Sequence, residues 1–309
     1  MKHRAKKFKT LHAILFIVLC VNALTQLGPT GFNINKWYTQ RDTDNFIQAS
    51  FLRASVEIQM KNGFIFLQLV NQAYVAITKS WICHAPQHTL KHTIFLATDK
   101  FAFRALRDFN VSLVFLISYS TGSLSYGQRA YYDLMLFRST VILKLLDVGV
   151  NVWLIESDAV WFDDPTIELS RFSDIDVITG QDGNINDNIP EGGFIFLNST
   201  VSTRNMWRRL RLEHKKILSE LHADEVGDAG SEMLLLPKYL ASVKWRFFSR
   251  SKFVSGKWYR DKKMRERAKP IVIQNNWIIG NHNKTLRARA WGHWYLNDAQ
   301  NACQIPTDV

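Results

Sequence analysis

The chain has 309 residues, of which 47% are hydrophobic and 13% aromatic, with only 7 prolines and 15 glycines. This composition excludes disordered, collagen-like and low-complexity proteins, and the length allows one large α/β domain or two small ones. The net charge of +12 would favour nucleic acid as a partner, but five of the basic residues lie in the first ten, where no acidic residue occurs. The remaining positive charge favours an anionic ligand or is diffuse surface charge, and we expect no nucleic-acid partner.

The amino terminus reads as a targeting segment. A basic tail, residues 1–10, precedes an apolar segment at residues 11–27 that carries no Asp, Glu, Lys or Arg. This pattern predicts a signal anchor whose basic flank stays in the cytosol. A cleaved signal peptide, with Val21-Asn-Ala23 as the cleavage signal, and a buried helix stay open as alternatives. Either of the first two interpretations sends the rest of the chain into the secretory pathway.

In the secretory pathway, three Asn-x-Ser/Thr sequons predict glycosylation at Asn110, Asn198 and Asn283. One of the three cysteines lies in the apolar segment. Cys83 and Cys303 are therefore left as a candidate disulfide in an oxidising lumen, with two free thiols as the alternative.

The remaining chain divides into a stem, one domain and a tail. Residues 28–60 are polar with weak periodicity, which favours a stem with some helix. From residue 61 to 301, short apolar runs alternate with amphipathic stretches, which predicts an α/β fold with a mostly parallel sheet flanked by helices. Residues 302–309 form the tail. The predicted strands are 64–69, 93–97, 113–116, 151–155, 176–179 and 193–197, and the predicted helices are 72–84, 101–108, 128–147, 202–222 and 231–241.

The most informative stretch is residues 151–165, where an apolar strand ends in Glu156-Ser-Asp158. In open α/β sheets, ligands bind at the carboxyl ends of the strands, and residues i and i+2 of a strand share a face. Two carboxylates converging there favour Mn²⁺ or Mg²⁺, which would neutralise a diphosphate. Their use as helix caps or turn formers is the alternative.

These residues resemble the Asp-x-Asp segment of the nucleotide-diphospho-sugar transferase family, a group of glycosyltransferases with the GT-A fold. Glu156 stands where the first aspartate usually is, and Asp158 matches the second. The resemblance continues through residues 160–165 and upstream through residues 126–127, Arg138 and residues 145–149.

The resemblance implies a GT-A-like, Rossmann-type domain that transfers a hexose or pentose from a nucleotide-diphosphate-sugar donor to a hydroxyl acceptor, with retention of anomeric configuration. It implies Mn²⁺ or Mg²⁺ as the cofactor, held by Asp158 and Glu156, and a glycan or glycoprotein as the acceptor. It also implies a single-pass type II protein of the Golgi membrane, with the catalytic domain in the lumen. Many anchored transferases pair through their stems, so a homodimer is one possible assembly, and the sequence leaves the oligomeric state open.

The resemblance extends to a predicted donor site. Asn71 and Asp99 follow the first two strands, where this fold usually seats the nucleoside, with ordinary turn formation as the alternative. Gly192 and Gly193 resemble the family's Gly-Phe strand beside the donor sugar, although a bulge would also favour glycine. Arg138 is predicted to offset the charge of the departing diphosphate.

Asp182 and Asp228 are the predicted catalytic carboxylates. Asp228 resembles the first residue of an Asp-Gln pair in relatives, with Ala229 in place of the glutamine. Its use as a helix N-cap stays open. No residue is identified as a nucleophile.

Residues 272–284 resemble the family's His-x-Asn-Trp segment with a downstream Gly and Lys. Gln274 stands at the histidine that often serves as a third metal ligand, so an extra water molecule, Asn275, Asn276 or His282 would complete the metal site. Lys284 is predicted to contact the diphosphate.

Two interpretations stay open. The aromatic cluster of Trp291, His293, Trp294 and Tyr295 could stack an acceptor sugar or pack in the core. The departures at Glu156, Gln274 and Ala229 are also consistent with a non-catalytic lumenal protein that binds a nucleotide or glycan on a decayed transferase fold.

Overall fold

A computed structural model describes residues 49–109, 111, 114–117, 124–171, 174–182, 189–221, 227–231 and 234–304. Within these ranges, no helix combines the length and apolar character needed to cross a membrane. The predicted basic tail, signal anchor and most of the stem lie outside the described residues, as does the sequon at Asn110.

Helices and strands alternate along most of the described chain. The helices are α1 (Ala49–Asn62), α2 (Val75–His84), α3 (Gln87–His92), α4 (Lys100–Arg107), α5 (Arg129–Asp147), α6 (Val201–Glu220), α7 (Leu236–Leu240), α8 (Lys262–Arg267) and α9 (Asn281–Ala290). The strands are β1 (Ile65–Val70), β2 (Thr93–Ala97), β3 (Val114–Leu116), β4 (Val152–Leu154), β5 (Val160–Trp161), β6 (Val177–Asp182), β7 (Ile189–Leu197), β8 (Trp245–Phe247), β9 (Phe253–Val254) and β10 (Val272–Ile273).

The main sheet has the strand order β3-β2-β1-β4-β7-β6-β8. Its neighbouring strands are parallel except that β7 runs antiparallel to both β4 and β6. The beginning of β7 therefore lies at the same edge as the carboxyl ends of β4 and β6. The predicted α/β class with a mostly parallel sheet is confirmed.

Helices cover both faces of this sheet because its strands are apolar on both sides. Ile65 and Leu67 of β1 belong to the cluster that packs against α1, α5 and α6, whereas Phe66 belongs to the cluster on the other face with α2 and α4. The first cluster is largely aliphatic. The second is rich in aromatic rings, such as the buried Trp153 stacked on Phe248.

A second sheet has the strand order β5-β10-β9. Ile273 of β10 pairs with Val160 of the antiparallel strand β5. The chain after β10 therefore runs alongside residues 156–159, and this pairing brings two distant segments together at one site.

Helix α1 overlaps the predicted stem. Phe51 on this helix is only 1% exposed and packs edge-on against Phe115 of β3, and Ile58 is also buried. The folded unit therefore begins by Ala49, inside the range 28–60.

Most predicted elements are present, and the differences have local causes. Strand β2 has the predicted bounds, whereas β7 begins at Ile189, four residues before the predicted start. The prediction began too late because Pro190 and the paired glycines are not typical of a strand. In place of the predicted helix 231–241, the described residues contain the short helix α7, which has Pro237 in its first turn.

Candidate functional site

The loop after β4 carries two of the predicted site residues. Strand β4 ends at Leu154, and the backbone N–H of Ala159 donates to the carbonyl of Glu156, closing a turn. Glu156 and Asp158 therefore lie in this turn, and the predicted sharing of one strand face is wrong. The two carboxylates still interact, since the charge of Asp158 contributes to raising the pKa of Glu156.

Asp158 forms a buried ion pair with Lys284. The Lys284 ammonium lies 2.5 Å from Asp158 Oδ2, and the two side chains are 14% and 1% exposed. Burial lowers the pKa of Lys284, but the negative charges around it, led by Asp158, raise it more, so that Lys284 is a fixed cation. The other oxygen, Asp158 Oδ1, is buried without a hydrogen-bond partner among the described residues.

Glu156 packs against the glycine pair of β7. A Cβ atom built on Gly193 would lie 2.1 Å from Glu156 Oε1, so any larger residue would require this carboxylate to move. Arg138 of α5 approaches the same oxygen at 3.9 Å. Burial and the charge of Asp158 raise the pKa of Glu156, although Lys284 and Arg138 oppose this shift.

Glu191 is a site residue that the sequence analysis missed. Its side chain is buried against Gly180 of β6, where an added Cβ would lie 2.5 Å from Glu191 Oε2. The Asn276 amide donates to its other oxygen at 2.9 Å. Burial raises the pKa of Glu191 well above its usual range, and the charges of Glu156, Asp182 and Asp158 raise it further. The sequence feature that could have pointed to Glu191 is its position directly before Gly192 and Gly193.

Asp182 ends β6 and joins the same group of charges, since it raises the pKa of both Glu156 and Glu191. Its Oδ1 accepts a hydrogen bond of 2.6 Å from the indole N–H of Trp277. We name the four carboxylates of Glu156, Asp158, Asp182 and Glu191 the acidic cluster.

The segment after β10 lines this cluster. Both polar atoms of the Gln274 side chain are buried without a hydrogen-bond partner in the described part of the chain. Asn275 accepts from Arg287 and donates to the carbonyl of Lys284, while Asn276 accepts from the N–H of Gly256 in addition to its bond to Glu191. His282 is exposed on α9. Of the alternatives to Gln274, Asn275 and Asn276 are thus engaged and His282 is exposed, whereas the amide of Gln274 itself is buried without a partner among the described residues.

These residues fit a divalent cation by the chemistry of their donors. Among the described residues, no three His, Cys, Asp or Glu side chains form a metal-binding group. Asp158 Oδ1 and Gln274 Oε1 are, however, buried oxygens that lack a donor among the described residues. Glu156 lies in the same turn as Asp158, and Gln274 directly follows Ile273, which pairs with Val160 just after that turn. Hard oxygen ligands of this kind suit Mn²⁺ or Mg²⁺.

Asn71 and Asp99 are engaged by the backbone. Asp99 accepts from the N–H groups of Gln72 and Ala102 at 2.7 and 2.8 Å, which caps α4. Asn71 accepts from the N–H of Tyr74, whose ring centroid lies 5.6 Å from the Lys284 ammonium. The two residues therefore fix the turn after β1, and this turn carries Tyr74, which lies beside Lys284 of the ion pair.

Asp228 is held by a different partner. It lies in the short 3₁₀ helix Gly227–Gly230, is exposed, and accepts a 2.7 Å hydrogen bond from the Tyr126 hydroxyl. The N–H of Gly227 donates to the carbonyl of Gly127, so residues 126–127 and 227–228 form one surface corner. Of the two predicted catalytic carboxylates, Asp182 belongs to the acidic cluster and Asp228 to this corner.

A small cavity adjoins Asp158 on the side of the C-terminal aromatic cluster. Its volume is about 20 Å³, which holds about one water molecule and no sugar nucleotide. Trp294 is buried, and His293 bonds the Tyr259 hydroxyl at 2.8 Å, with its pKa lowered by burial to about 4. These aromatic residues form packing contacts with neighbouring rings.

The disulfide and sequon residues are not members of the acidic cluster, although Asn283 directly precedes Lys284, the ion-pair partner of Asp158. Cys83 of α2 and Cys303 are joined in a disulfide. The Asn198 amide donates to the carbonyl of Ile175, whereas Asn283 is exposed on α9. Glycosylation of either asparagine stays a prediction.

Comparison with known proteins gives the family. The family model described as nucleotide-diphospho-sugar transferase matches residues 88–287. A UDP-galactose:fucoside alpha-3-galactosyltransferase of Dictyostelium discoideum is 26% identical over 214 residues, covering 58% of this chain and 31% of that protein. A UDP-D-xylose:L-fucose alpha-1,3-D-xylosyltransferase of Arabidopsis thaliana is 22% identical over 262 residues, covering 77% of this chain and 72% of that protein.

A solved structure of a glycosyltransferase involved in the glycosylation of the major capsid of PBCV-1 matches with a TM-score of 0.46 and 9% identity, over 74% of this chain and 97% of that one. The chain spans only about a third of the length of the Dictyostelium relative. The family match nevertheless covers more than half of the chain and includes all four carboxylates of the acidic cluster. The chain therefore belongs to the nucleotide-diphospho-sugar transferase family.

Proposed function

We propose that this protein is a glycosyltransferase that moves a sugar from a UDP-sugar donor to a hydroxyl group of a fucose-containing glycan, with metal dependence and retention of configuration. The observation that carries the proposal is the order of the site residues along one edge of the main sheet. The names of the two relatives support the choice of UDP as the nucleotide and of fucose as the acceptor sugar.

The site residues follow the strand order β1, β4, β7 and β6. Asn71 follows β1, and Asp158, with Lys284 paired to it, follows β4. Gly193 and Glu191 lie in the first half of β7, and Asp182 ends β6. Four neighbouring strands span about 14 Å at the usual strand spacing. This order suits an extended donor with its nucleoside near Asn71, its diphosphate at Lys284 and its sugar beside Gly193.

The diphosphate end is where positive charge is needed as the sugar leaves. Lys284 is a buried cation on α9, and Arg138 reaches the same region from α5. Asp158, Glu156 and the amide oxygen of Gln274 would hold a divalent cation. Bound there, Mn²⁺ or Mg²⁺ would supply further positive charge to the leaving diphosphate.

The acceptor end is then at Asp182. In the transfer, the bond between the donor sugar and the diphosphate breaks, a bond to the acceptor oxygen forms, and the proton of the acceptor hydroxyl passes to the departing diphosphate. Asp182 is the cluster carboxylate farthest from Lys284 in the strand order, so we assign it the orientation of the acceptor hydroxyl. Asp228 is held at the corner by Tyr126 and has no assigned role in this step.

The test is calorimetric titration of the purified chain with UDP and with GDP, each with and without Mn²⁺, followed by an assay of UDP-sugar turnover. We expect Mn²⁺-dependent binding of UDP that is lost in Asp158→Asn. The matched control is Asp298→Asn, which removes the charge of a carboxylate that is 97% exposed. Equal UDP binding by Asp158→Asn and the wild type would remove the assigned site.

The same experiment addresses the alternative of a non-catalytic binding protein. Glu156, Gln274 and Ala229 depart from the family pattern, and these departures favour that alternative. Mn²⁺-dependent UDP binding without turnover of any UDP-hexose or UDP-pentose would support a nucleotide-binding protein on a transferase fold.

We also infer a Golgi location with the catalytic domain in the lumen. The disulfide between Cys83 and Cys303 supports this inference, because such bonds persist in oxidising compartments. Protection of the carboxyl-terminal domain from protease in intact Golgi vesicles is the expected result, and digestion without detergent would contradict it.

A further inference from the structure

Trp277 has an unusual backbone conformation beside the acidic cluster. Its φ is 58°, and within the described residues only Gln300 is another non-glycine residue with positive φ. This conformation is costly for a large side chain and persists where the surroundings fix it, which occurs most often at functional sites. Two contacts fix the ring: its indole N–H donates to Asp182 Oδ1 at 2.6 Å, and the Lys257 ammonium lies 3.9 Å from the ring centroid.

The ring held in this way faces solvent. Trp277 is 43% exposed, and Ile279, two residues later, is 79% exposed. Ile189 is 45% exposed and pairs directly with Asp182 across β6 and β7, so its side chain lies on the same side of the sheet as Asp182. We name these three side chains, Trp277, Ile279 and Ile189, the apolar ledge.

The position of the apolar ledge separates it from the donor end. Asp182, which binds Trp277, ends β6, and β7 separates β6 from β4 and the Asp158–Lys284 pair. Two strand spacings correspond to about 10 Å. A donor anchored at Lys284 would therefore place its sugar beside β7, and the next group along the sheet edge would meet Trp277.

We propose that the apolar ledge is the acceptor-binding platform, in which Trp277 stacks on the apolar C–H face of a 6-deoxyhexose and Ile279 or Ile189 contacts its methyl group. This inference rests on the proposed function and adds the acceptor subsite to it. The chemistry matches, because indole rings combine a large apolar face with a polar N–H, and a 6-deoxy sugar has a methyl group where other hexoses carry a hydroxyl. Asp182 then serves two partners, since it holds the indole and faces the acceptor hydroxyl.

The test uses the full chain with methyl α-L-fucoside as the probe, observed by saturation-transfer NMR. We expect transfer to the C6 methyl and ring protons in the wild type, loss of the signal in Trp277→Ala, and partial retention in Trp277→Phe, which keeps a ring but lacks the N–H. The matched control is Trp291→Ala. Trp291 is 36% exposed and packs against Trp258 and Arg265, whereas the indole that bonds Asp182 is that of Trp277, so removal of Trp291 should leave the fucoside signal unchanged.

Kinetics give a second readout. We expect Trp277→Ala to raise the KM for the fucoside acceptor about tenfold, as loss of a central aromatic contact does, without changing the KM for the donor. An unchanged acceptor KM together with an unchanged fucoside signal would overturn the platform. If Trp277→Ala fails to fold, a folded Trp277→Phe with a full fucoside signal and a wild-type acceptor KM would overturn the platform, because the bond from the indole N–H to Asp182 is what orients the ring in the proposal.

The two proposals can fail separately. A wild-type chain that binds fucoside through Trp277 but turns over no UDP-sugar would contradict the transferase activity and support the platform. A chain that transfers the sugar but gives no fucoside signal would contradict the platform alone.

Discussion

Two sets of polar residues lie at the same edge of the sheet, yet they are stabilised differently. Asn71 and Asp99 have backbone N–H groups as partners, and both oxygens of Asp99 are engaged in this way. The acidic cluster instead brings four carboxylates together around the charges of Lys284 and Arg138. A polar residue at this edge is therefore structural when the local backbone satisfies its hydrogen bonds. It becomes a functional candidate when distant elements bring like charges to it.

Removal of the Lys284 cation, the ion-pair partner of Asp158, should lower activity more than any other change proposed here. Lys284→Met removes the buried cation, so transfer activity should fall by about a hundredfold or more, as it does when a group that stabilises developing charge is lost. Steady-state kinetics of transfer measure the effect. Lys262→Met, which removes a lysine whose side chain is 82% exposed, is the control. Wild-type kcat and KM in Lys284→Met would contradict the role of this cation.

The next effect is steric and concerns Glu156. A methyl group at residue 193 would overlap Glu156 Oε1, so Gly193→Ala should move the carboxylate and lower kcat by about tenfold or more. A double-mutant cycle with Glu156→Asp checks the cause. The shorter side chain withdraws from residue 193, so the substitution at Gly193 should cost less in the Glu156→Asp background. Equal costs in both backgrounds would place the effect of Gly193 elsewhere.

A smaller effect appears in stability rather than activity. Burial and neighbouring carboxylates raise the pKa of Glu191. At pH values between the unfolded and the folded pKa, Glu191 is therefore protonated in the folded chain and ionised in the unfolded chain. The stability from Glu191 is fully present below its unfolded pKa and is lost as the pH rises through its folded pKa, by about 1.4 kcal/mol per unit of pKa shift.

Glu191→Gln cannot ionise and keeps an acceptor for Asn276. We therefore expect the Tm of Glu191→Gln to match the wild type at pH 4 and to exceed it increasingly toward pH 8. Thermal melts followed by circular dichroism across this range measure the difference, and a difference that does not change with pH would contradict the buried acid.

The local features of this edge of the sheet could be predicted from the sequence. Periodicity predicted β2 to the residue, and the position after a strand pointed to Glu156 and Asp158. The pairing of Asp158 with Lys284, which lies 126 residues away, depends on the alignment of β10 with β5, and the family resemblance supplied the expectation that Lys284 acts at the site.

Glu191 could not be predicted in the same way. Its run Ile189-Pro-Glu-Gly-Gly193 lacks the alternation of a strand, and its burial depends on the antiparallel course of β7 and a register shift between Thr179 and Gly180. Long-range register sets these contacts, and a local pattern does not encode it.

The weakest effect concerns Asp99, which belongs to the set of residues with backbone N–H partners. Because both carboxylate oxygens accept backbone N–H groups, Asp99→Ala should lower the free energy of unfolding by about 0.5–2 kcal/mol, as for other N-cap residues. Asp261→Ala removes a comparable cap at α8 and is the matched control. Both variants should lose stability in urea denaturation, and only Asp99→Ala should also raise the donor KM, because Asp99 shapes the turn at Asn71. An unchanged donor KM in Asp99→Ala would limit that turn to a structural role, whereas a large loss of kcat would place Asp99 among the residues that act on the donor directly.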